Sequence, residues 1–450
     1  MTDRFELRLG RSLYDALDDD LRAGPRDADE LEQAGFVLCG AAHLPDRILL
    51  LGRAWRPIPL DRRIRRRGYG LAWTAEFNAE ILDEADELHA VPVLVHRHES
   101  RRDAALSRLD RRADDPLLAQ MSTLAERQLA GSVVLHESTA TGLLWDQSGI
   151  AASLLRVRIA SAPIKDLYPR RQASAPARPR LQRQTLAIGP DSDAKLAATK
   201  VAVVGLSGGG SHVVQQLAHA GVGSLILVDD DVVDETNRGR VVGTRHDDDG
   251  RLKTDAMRRL VEGIDPEIDI HTVPRRSSDS EGLAILRGAD VIVACVDRFD
   301  VRAEINSIVR RYLIPYIDVG MTLDSRREVL LSASGQAILT LPGAPCLRCT
   351  PLLSAAVLEH ERLVAPPGYD RNPNAPGQAQ VVSMNGLLSS QAVTLVLAII
   401  TGYIPGDRIA TGGWWQYDAL EGQLDFSALA FRRPACPGCA EEGHGDPWFA

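Results

Sequence analysis

Residues 199–231 have the sequence TKVAVVGLSGGGSHVVQQLAHAGVGSLILVDDD. An apolar run, Val201–Val204, precedes a glycine-rich turn, a segment typical of a helix, Ser211–Ala220, and a second apolar run, Ser224–Val228. This order predicts a βαβ unit. A glycine turn between strand and helix lets backbone N–H groups and the helix N-terminus approach phosphates. The stretch therefore predicts a nucleotide site, although the turn alone could equally serve NAD or FAD.

The alternation of strand and helix signals continues downstream. We predict a strand over Ile268–Val273, a helix near Glu281–Arg287 and a strand over Val291–Cys295. This pattern indicates a mostly parallel sheet covered by helices. The most apolar stretch, Gly386–Ile404, is interrupted by polar residues, so it predicts a buried helix rather than a membrane span.

Polar residues follow the predicted strands of this half. Asp229 comes about 20 residues after the glycine turn, where a carboxylate can bind ribose hydroxyls. Open α/β sheets bind ligands at the carboxyl ends of their strands. The polar residues placed there by the sequence are Asp229, Asn237, Arg240, Lys253 and Asp297. Lys253 is notable because the chain has only four lysines.

The six cysteines fall into two groups. Cys39 and Cys295 lie in apolar runs, which is typical of small buried thiols. The other four form two CxxC pairs separated by 86 residues, Cys346 with Cys349 and Cys436 with Cys439. Four thiolates in two pairs suit tetrahedral zinc, so this spacing predicts a closed structural zinc site.

Residues 179–450 resemble the ThiF/MoeB adenylyltransferase family, whose catalytic core is shared with ubiquitin-activating enzymes. The stretches that carry the resemblance are VAVVGLSGGGS, AGVGSLILVDDDVVDETNRGR, the lysine of GRLKTDA, VACVDRFDVR and the two CxxC pairs. The family fold is Rossmann-like. Its substrate is the C-terminal glycine carboxylate of a ubiquitin-like or sulfur-carrier β-grasp protein, which it activates as an acyl-adenylate.

The resemblance implies which residues bind ATP and magnesium. They are Gly205, Gly208, Gly210, Asp229, Asn237, Arg240, Lys253 and Asp297. Arg240 and Lys253 would neutralise charge on the phosphates, and Asp297 would hold magnesium. Arg183, of the Arg183-Gln184 pair, matches a family arginine that reaches the partner subunit's ATP site, which implies a homodimer. One departure is Ser207, where the family has a glycine.

Many relatives also carry a cysteine ahead of the long C-terminal helix, and it accepts the acyl group. Here the matching stretch, residues 366–391, contains no cysteine. We expect the adenylate to be passed directly to a nucleophile on a partner. The alternative is an oxyester on Ser383.

The first part of the chain carries a second motif. His96 and His98 end a predicted strand, and Ser107 and Asp110 follow. Two imidazoles and one carboxylate can bind a catalytic zinc ion that keeps one position open for water. Residues 1–160 resemble the JAB/JAMM metallopeptidases, which implies that His96, His98 and Asp110 bind zinc, that Glu32 activates water and that Ser107 helps stabilise the oxyanion. Glu99 departs from the family's usual proline.

These observations predict an α/β chain of two domains. A mixed α/β JAB/JAMM domain (1–160) and a Pro- and Arg-rich linker (161–178) precede an adenylation domain (179–450) that uses ATP, Mg²⁺ and Zn²⁺. We expect a bacterial-type fusion whose first domain trims or deconjugates the ubiquitin-like protein that the second adenylates. A conjugating enzyme or a sulfur donor is a candidate further partner.

The sequence leaves two alternative functions open. One is sulfur-carrier activation in cofactor or cysteine biosynthesis, and the other is a first domain that only docks the carrier. The net charge of −9 argues against nucleic acid as a partner. The charged N-terminus and the absence of a membrane span favour the cytoplasm.

Overall fold

The computed structural model describes residues 3–23, 33–64, 72–98, 106–171, 177–276, 279–326, 329–364 and 379–447. Within these ranges the chain forms two eight-stranded sheets with helices packed on them. The strands are β1 (Arg4–Gly10), β2 (Ala34–His43), β3 (Ile48–Pro57), β4 (Val91–Arg97), β5 (Ala130–Leu135), β6 (Ala140–Asp146), β7 (Gly149–Ala160), β8 (Lys165–Leu167), β9 (Lys200–Val204), β10 (Ser224–Val228), β11 (Asp269–Val273), β12 (Val291–Ala294), β13 (Tyr316–Arg326), β14 (Val329–Thr340), β15 (Gly413–Asp418) and β16 (Gln423–Ala428). The helices are α1 (Arg11–Arg22), α2 (Ala75–Glu87), α3 (Arg108–Leu124), α4 (Gln182–Ile188), α5 (Ser192–Ala197), α6 (Gly208–Ala220), α7 (Lys253–Ile264), α8 (Ser280–Leu286), α9 (Phe299–Arg311), α10 (Ala355–Val364), α11 (Val382–Thr401) and α12 (Pro437–Ala440).

The first sheet closes into a barrel-like ring. Its strand order is β1, β3, β2, β4, β5, β6, β7, β8, and β1 also pairs in parallel with β7. Successive side chains of a strand point to opposite faces. In β2, Val37 therefore joins the core cluster that includes α1, while Phe36 and Leu38 join the cluster that includes α2 and α3. The mixed α/β character predicted for this half is confirmed.

The second sheet is parallel in its first part and antiparallel in its second. The order is β11, β10, β9, β12, β13, β14, β15, β16, with parallel pairing from β11 through β13 and antiparallel pairing from β13 to β16. The chain moves outward from β9 to β11 and then returns to the other side of β9 at β12. This reversal is the position at which open α/β sheets bind ligands.

The apolar stretch near the C-terminus forms the buried helix that the sequence predicts. Helix α11 is long and apolar enough to cross a membrane by length and composition, but 61% of its apolar window is buried inside the protein. Leu388, Ala392 and Val396 belong to the core of the second sheet. The helix therefore packs as a core element between α6 and the sheet.

The two halves share a core and a buried network of charges. Apolar side chains of β3 pack in one cluster with those of α9. Arg156 and Arg158 of β7 both contact Asp290, which immediately precedes β12. Within the stretch expected to be a linker, Lys165–Leu167 forms strand β8 on the first sheet.

Candidate functional site

The glycine turn is held in a conformation that side chains would prevent. Gly205 has φ +83°, which is the left-handed region that favours glycine. A Cβ atom on Gly210 would lie 1.8 Å from the carbonyl oxygen of Gly205. A Cβ atom on Gly208 would lie 2.4 Å from Nδ2 of Asn385 on α11. The turn is therefore compact, and α6 begins inside it, at Gly208.

Asp229 anchors this turn from the end of the neighbouring strand. Its Oδ2 accepts a hydrogen bond from the Leu206 N–H at 2.6 Å, and its Oδ1 accepts one from the Asp231 N–H at 2.9 Å. Burial raises the pKa of Asp229, while the charge of Lys253 opposes that rise. The predicted strand-end carboxylate thus lies beside the glycine turn.

Lys253 is buried at the start of α7 and points at the same turn. It is 3% exposed, and its Nζ donates to Ser207 Oγ at 3.0 Å and to Asp231 Oδ2 at 2.6 Å. Ser207 departs from the family glycine, and here its hydroxyl is a partner of this lysine. The sequence prediction did not include Asp231, because nothing in the Asp229-Asp230-Asp231 run distinguishes it from its neighbours.

Two further predicted site residues carry buried polar atoms that lack a partner. Asn237 is 2% exposed, and its Oδ1 makes no hydrogen bond within the described ranges. The Nε of Arg240 is likewise buried and unpaired among the described residues. Buried polar atoms are nearly always satisfied, so these two atoms are available to bond a water molecule or a polar ligand.

The remaining predicted nucleotide residues lie at two separate places. Asp297 is exposed in the turn between β12 and α9, at the end of the strand next to β9. Arg183 is exposed on α4, and its neighbour Gln184 donates to the Ala220 carbonyl at 2.9 Å. The reach of Arg183 into a partner subunit stays a prediction.

The four CxxC cysteines meet at one point. All four Sγ atoms lie within 4.8 Å of one another, and the Cys346–Cys436 and Cys349–Cys439 Sγ pairs are each 3.6 Å apart. Tetrahedral zinc with Zn–S bonds of about 2.3 Å separates its sulfur ligands by roughly 3.8 Å. The cluster therefore fits a zinc ion with little rearrangement.

The HxH motif and Asp110 also converge. Asp110 Oδ1 lies 3.8 Å from His96 Nε2, and Asp110 Oδ2 lies 3.6 Å from His98 Nε2. Both ring nitrogens of His96 are buried without a hydrogen-bond partner among the described residues. Burial, helped by the nearby His98, lowers the pKa of His96 to about 4, which keeps the imidazole neutral. A neutral imidazole has one ring nitrogen with a free lone pair, and this nitrogen can bind a metal ion.

Ser107 has a local structural role in this region. Its hydroxyl accepts from the Asp110 N–H at 3.1 Å, and its own N–H donates to Asp110 Oδ2 at 2.6 Å. This reciprocal pair is a capping box that starts α3 and fixes the Asp110 carboxylate. The predicted oxyanion role of Ser107 stays a prediction. Glu32 lies outside the described residues.

Comparison with known proteins agrees with the second half of this description. Residues 181–438 match the sequence profile of the ThiF family. The SAMP-activating enzyme E1 of Haloferax volcanii is 29% identical over 57% of this chain and 86% of its own length. The mouse adenylyltransferase and sulfurtransferase MOCS3 is 28% identical over 62% of this chain and 56% of its own length.

Two further comparisons are more limited in coverage or similarity. The rice ubiquitin-like modifier-activating enzyme 5 is 26% identical over 55% of this chain, which spans 57% of that enzyme. A crystal structure of Escherichia coli MccB with ATP superposes with a TM-score of 0.48 and 24% identity, over 58% of this chain and 74% of MccB. The chain thus spans little more than half of two of the three curated relatives named here.

Proposed function

The chain belongs to the ThiF family. We propose that it uses ATP to adenylate the C-terminal glycine of a ubiquitin-like β-grasp protein. One observation carries the proposal. The buried Lys253 contacts the glycine turn through Ser207, and this turn follows β9, where the strand order of the parallel sheet reverses. The names of the relatives, among them a SAMP-activating enzyme and a ubiquitin-like modifier-activating enzyme, support this substrate class.

The proposed reaction is a displacement at the α-phosphorus of ATP. A carboxylate oxygen of the carrier's terminal glycine forms a bond to phosphorus, the bond to the bridging oxygen breaks, and pyrophosphate leaves with the electron pair. Negative charge builds on the phosphorus oxygens, and the positive charges of Lys253 and Arg240 are proposed to offset it. The N–H groups of the glycine turn and of the start of α6 supply further donors.

Asp297 is the candidate magnesium residue. Its carboxylate is the hard oxygen ligand that Mg²⁺ prefers, and it lies at the end of the strand beside the glycine turn. When bound, Mg²⁺ would offset charge on the phosphates of ATP. Arg183 of a partner subunit is proposed to add a cation in a homodimer.

The two cysteines outside the four-cysteine cluster do not suit a thioester intermediate. Burial raises the pKa of Cys295 to about 12, so this thiol stays protonated and is a poor nucleophile. Burial likewise raises the pKa of Cys39. We therefore propose direct transfer of the acyl group to a partner's nucleophile, on a conjugation target or on a sulfur donor. An oxyester on Ser383 is the alternative, and loss of acyl transfer in Ser383→Ala would favour it.

For the first domain we propose a JAMM-type zinc peptidase that processes or deconjugates the same carrier. The convergence of His96, His98 and Asp110 around unpaired imidazole nitrogens supports it. Zinc bound there would lower the pKa of a water ligand toward neutrality. The chain's own residues would orient the ion and, through Glu32, accept a proton from that water. The four-cysteine cluster is proposed as a second, structural zinc site in a cytoplasmic protein.

The test is ATP–pyrophosphate exchange with a panel of glycine-ended β-grasp proteins. We expect exchange that depends on one carrier and is lost in Asp297→Ala. Exchange that persists in Asp297→Ala would refute the proposed magnesium residue. The same carrier extended beyond its glycine should be trimmed by the wild type and not by His98→Ala. A carrier thiocarboxylate formed with a sulfide donor would favour the sulfur-carrier alternative.

A further inference from the structure

The turn that carries Asp297 is held from both sides by buried side chains. Before Asp297, the carbonyl of Val296 accepts hydrogen bonds from Arg302 Nη2 at 2.8 Å and Nε at 3.1 Å. After Asp297, the N–H groups of Phe299 and Asp300 donate to the Glu361 carboxylate at 3.0 and 2.8 Å. Asp297 therefore lies between two fixed points of the backbone.

Glu361 acts here as a cap supplied by another helix. Phe299 and Asp300 begin α9, and the first N–H groups of a helix lack partners within the helix. A carboxylate at this end also interacts favourably with the helix dipole. Glu361 belongs to α10 and is 8% exposed, so its interaction with α9 is largely shielded from water. Leu358 of the same helix and Phe299 both pack against one core cluster.

Arg302 is itself buried and braced. It is 4% exposed, and its Nε lies 3.5 Å from Oδ2 of Asp318 on β13. That oxygen also accepts from the Tyr316 hydroxyl at 2.7 Å. The guanidinium thus connects the Asp297 turn to the neighbouring strand of the sheet.

We propose that Glu361 is a positioning residue for the nucleotide site: its carboxylate fixes the first turn of α9 and so places Asp297 for magnesium and ATP. This inference rests on the function proposed above. Glu361 is not proposed to contact a phosphate. It influences the position of Asp297 only through its hydrogen bonds to the backbone N–H groups of Phe299 and Asp300. Arg302 serves the same turn from the other side. The sequence did not reveal either role, because Glu361 is distant along the chain and Arg302 reads as an ordinary helix residue.

The experiment compares the wild type with Glu361→Gln, which keeps the side-chain shape but replaces one acceptor oxygen with a donor. Magnesium is titrated while ATP binding to the full chain is followed by calorimetry, without carrier. The half-saturating Mg²⁺ concentration should rise about tenfold, the effect typical of losing an outer residue that orients a metal ligand. Saturating Mg²⁺ should restore most of the pyrophosphate-exchange rate, which a general loss of structure would not allow.

A second readout does not depend on nucleotide at all. Amide hydrogen exchange at Phe299 and Asp300 should be faster in Glu361→Gln than in the wild type. Glu359→Gln is the matched control, because Glu359 lies on the same helix, is 61% exposed and approaches only 3.9 Å to Arg362. It should change neither readout. If Glu361→Gln folds poorly, Arg302→Lys replaces it and should also raise the Mg²⁺ requirement.

The outcomes separate this inference from the proposed function. Unchanged magnesium dependence in Glu361→Gln would overturn the positioning role, even with faster amide exchange. Unchanged amide exchange would overturn the capping contact itself. Mg²⁺-dependent ATP binding without pyrophosphate exchange would refute adenylation, while the magnesium titration would still decide the role of Glu361. A wild type that binds no Mg·ATP would overturn both.

Discussion

Among single residues, Lys253 is the buried cation that contacts the glycine turn. It is buried between the glycine turn and Asp231, and its ammonium group is held by Ser207 Oγ. The position of the Lys253 ammonium group is therefore fixed before any ligand binds. A preset positive charge in a site shielded from water stabilises developing negative charge strongly.

Lys253→Ala should lower the rate of pyrophosphate exchange about 10²- to 10³-fold, the usual cost of removing one electrostatic donor from a reaction site. The loss should appear mainly in kcat, because the charge that Lys253 offsets builds up in the transition state. The matched control is Lys165→Ala, since Lys165 is an exposed lysine of β8 beside the Tyr14 hydroxyl. A Lys253→Ala enzyme within threefold of wild type would remove this residue from the mechanism.

A second residue-scale prediction concerns pH. Asp114 of α3 is 5% exposed and accepts a hydrogen bond from Ser132 Oγ at 2.7 Å. Burial raises its pKa to about 7. The folded protein therefore holds a proton that the unfolded chain releases near pH 4. The protonated Asp114 therefore stabilises the folded state at low pH, and this stabilisation is lost as the pH rises through about 7.

Asp114→Asn removes this titration while keeping the shape of the side chain. When the pH is raised from 5 to 8, the unfolding free energy of the variant should increase by roughly 1–3 kcal/mol relative to that of the wild type. Urea unfolding of the metal-free proteins at both pH values measures it. Asp15→Asn, at a half-buried position of α1 where the carboxylate pairs with Arg11, is the control and should show no such difference. If Asp114→Asn shows no such increase in unfolding free energy, Asp114 is already ionised in the folded state at pH 5.

At the scale of elements, the sequence predicted those strands that appear as apolar runs bounded by turns. Val201–Val204 and Ser224–Val228 lie within one residue of strands β9 and β10. The antiparallel half of the second sheet was not predicted. Strand β16 is exposed along its whole length, so it lacks the apolar alternation that marks a half-buried strand.

The two metal clusters show the same contrast between local and long-range information. Each CxxC pair and the HxH motif are visible in the sequence, because their spacing is local. Cys346 follows β14, and Cys436 directly precedes α12. Their contact depends on how these distant segments pack, which a local sequence pattern does not predict. The role of Ser107 as a cap also emerged only from the geometry, although S-x-x-D is a known helix-start pattern.

Zinc content tests both clusters at once. We expect two zinc ions per chain in the wild type, since each cluster places its ligand atoms within 4.8 Å of one another. Cys349→Ser and His98→Ala should each hold one. Atomic absorption after gel filtration gives the count. A wild type with one zinc ion, lost only in Cys349→Ser, would mean that the first domain is a docking module rather than a peptidase.

At the scale of the whole molecule, the two halves are joined by an interface that sequence patterns conceal. The run Phe5-Glu6-Leu7-Arg8-Leu9 alternates apolar and charged residues, as a half-exposed strand does. Yet Glu6 and Arg8 are 0% and 1% exposed. Glu6 pairs with both Arg8 and Arg156, which offsets the cost of burying these charges, and Arg156 in turn contacts Asp290 of the second half.

Asp290 also holds the start of the nucleotide-binding sheet. Its Oδ2 accepts from the Lys200 N–H at 2.9 Å, at the beginning of the strand that ends in the glycine turn. Removing one member of a buried charge network costs about 3–5 kcal/mol. Asp290→Ala should therefore destabilise the chain by that amount. The wild type should unfold in one calorimetric transition, and two separate transitions would show that the halves are independent.

Intact mass spectrometry of the carrier would detect the proposed acyl-adenylate itself. After incubation with Mg·ATP and pyrophosphatase, we expect a carrier heavier by one AMP moiety. The adduct should be absent with Lys253→Ala and with a carrier whose terminal glycine is amidated. ATP consumed with the transfer of a phosphoryl group instead of AMP, or an adduct on the amidated carrier, would contradict it.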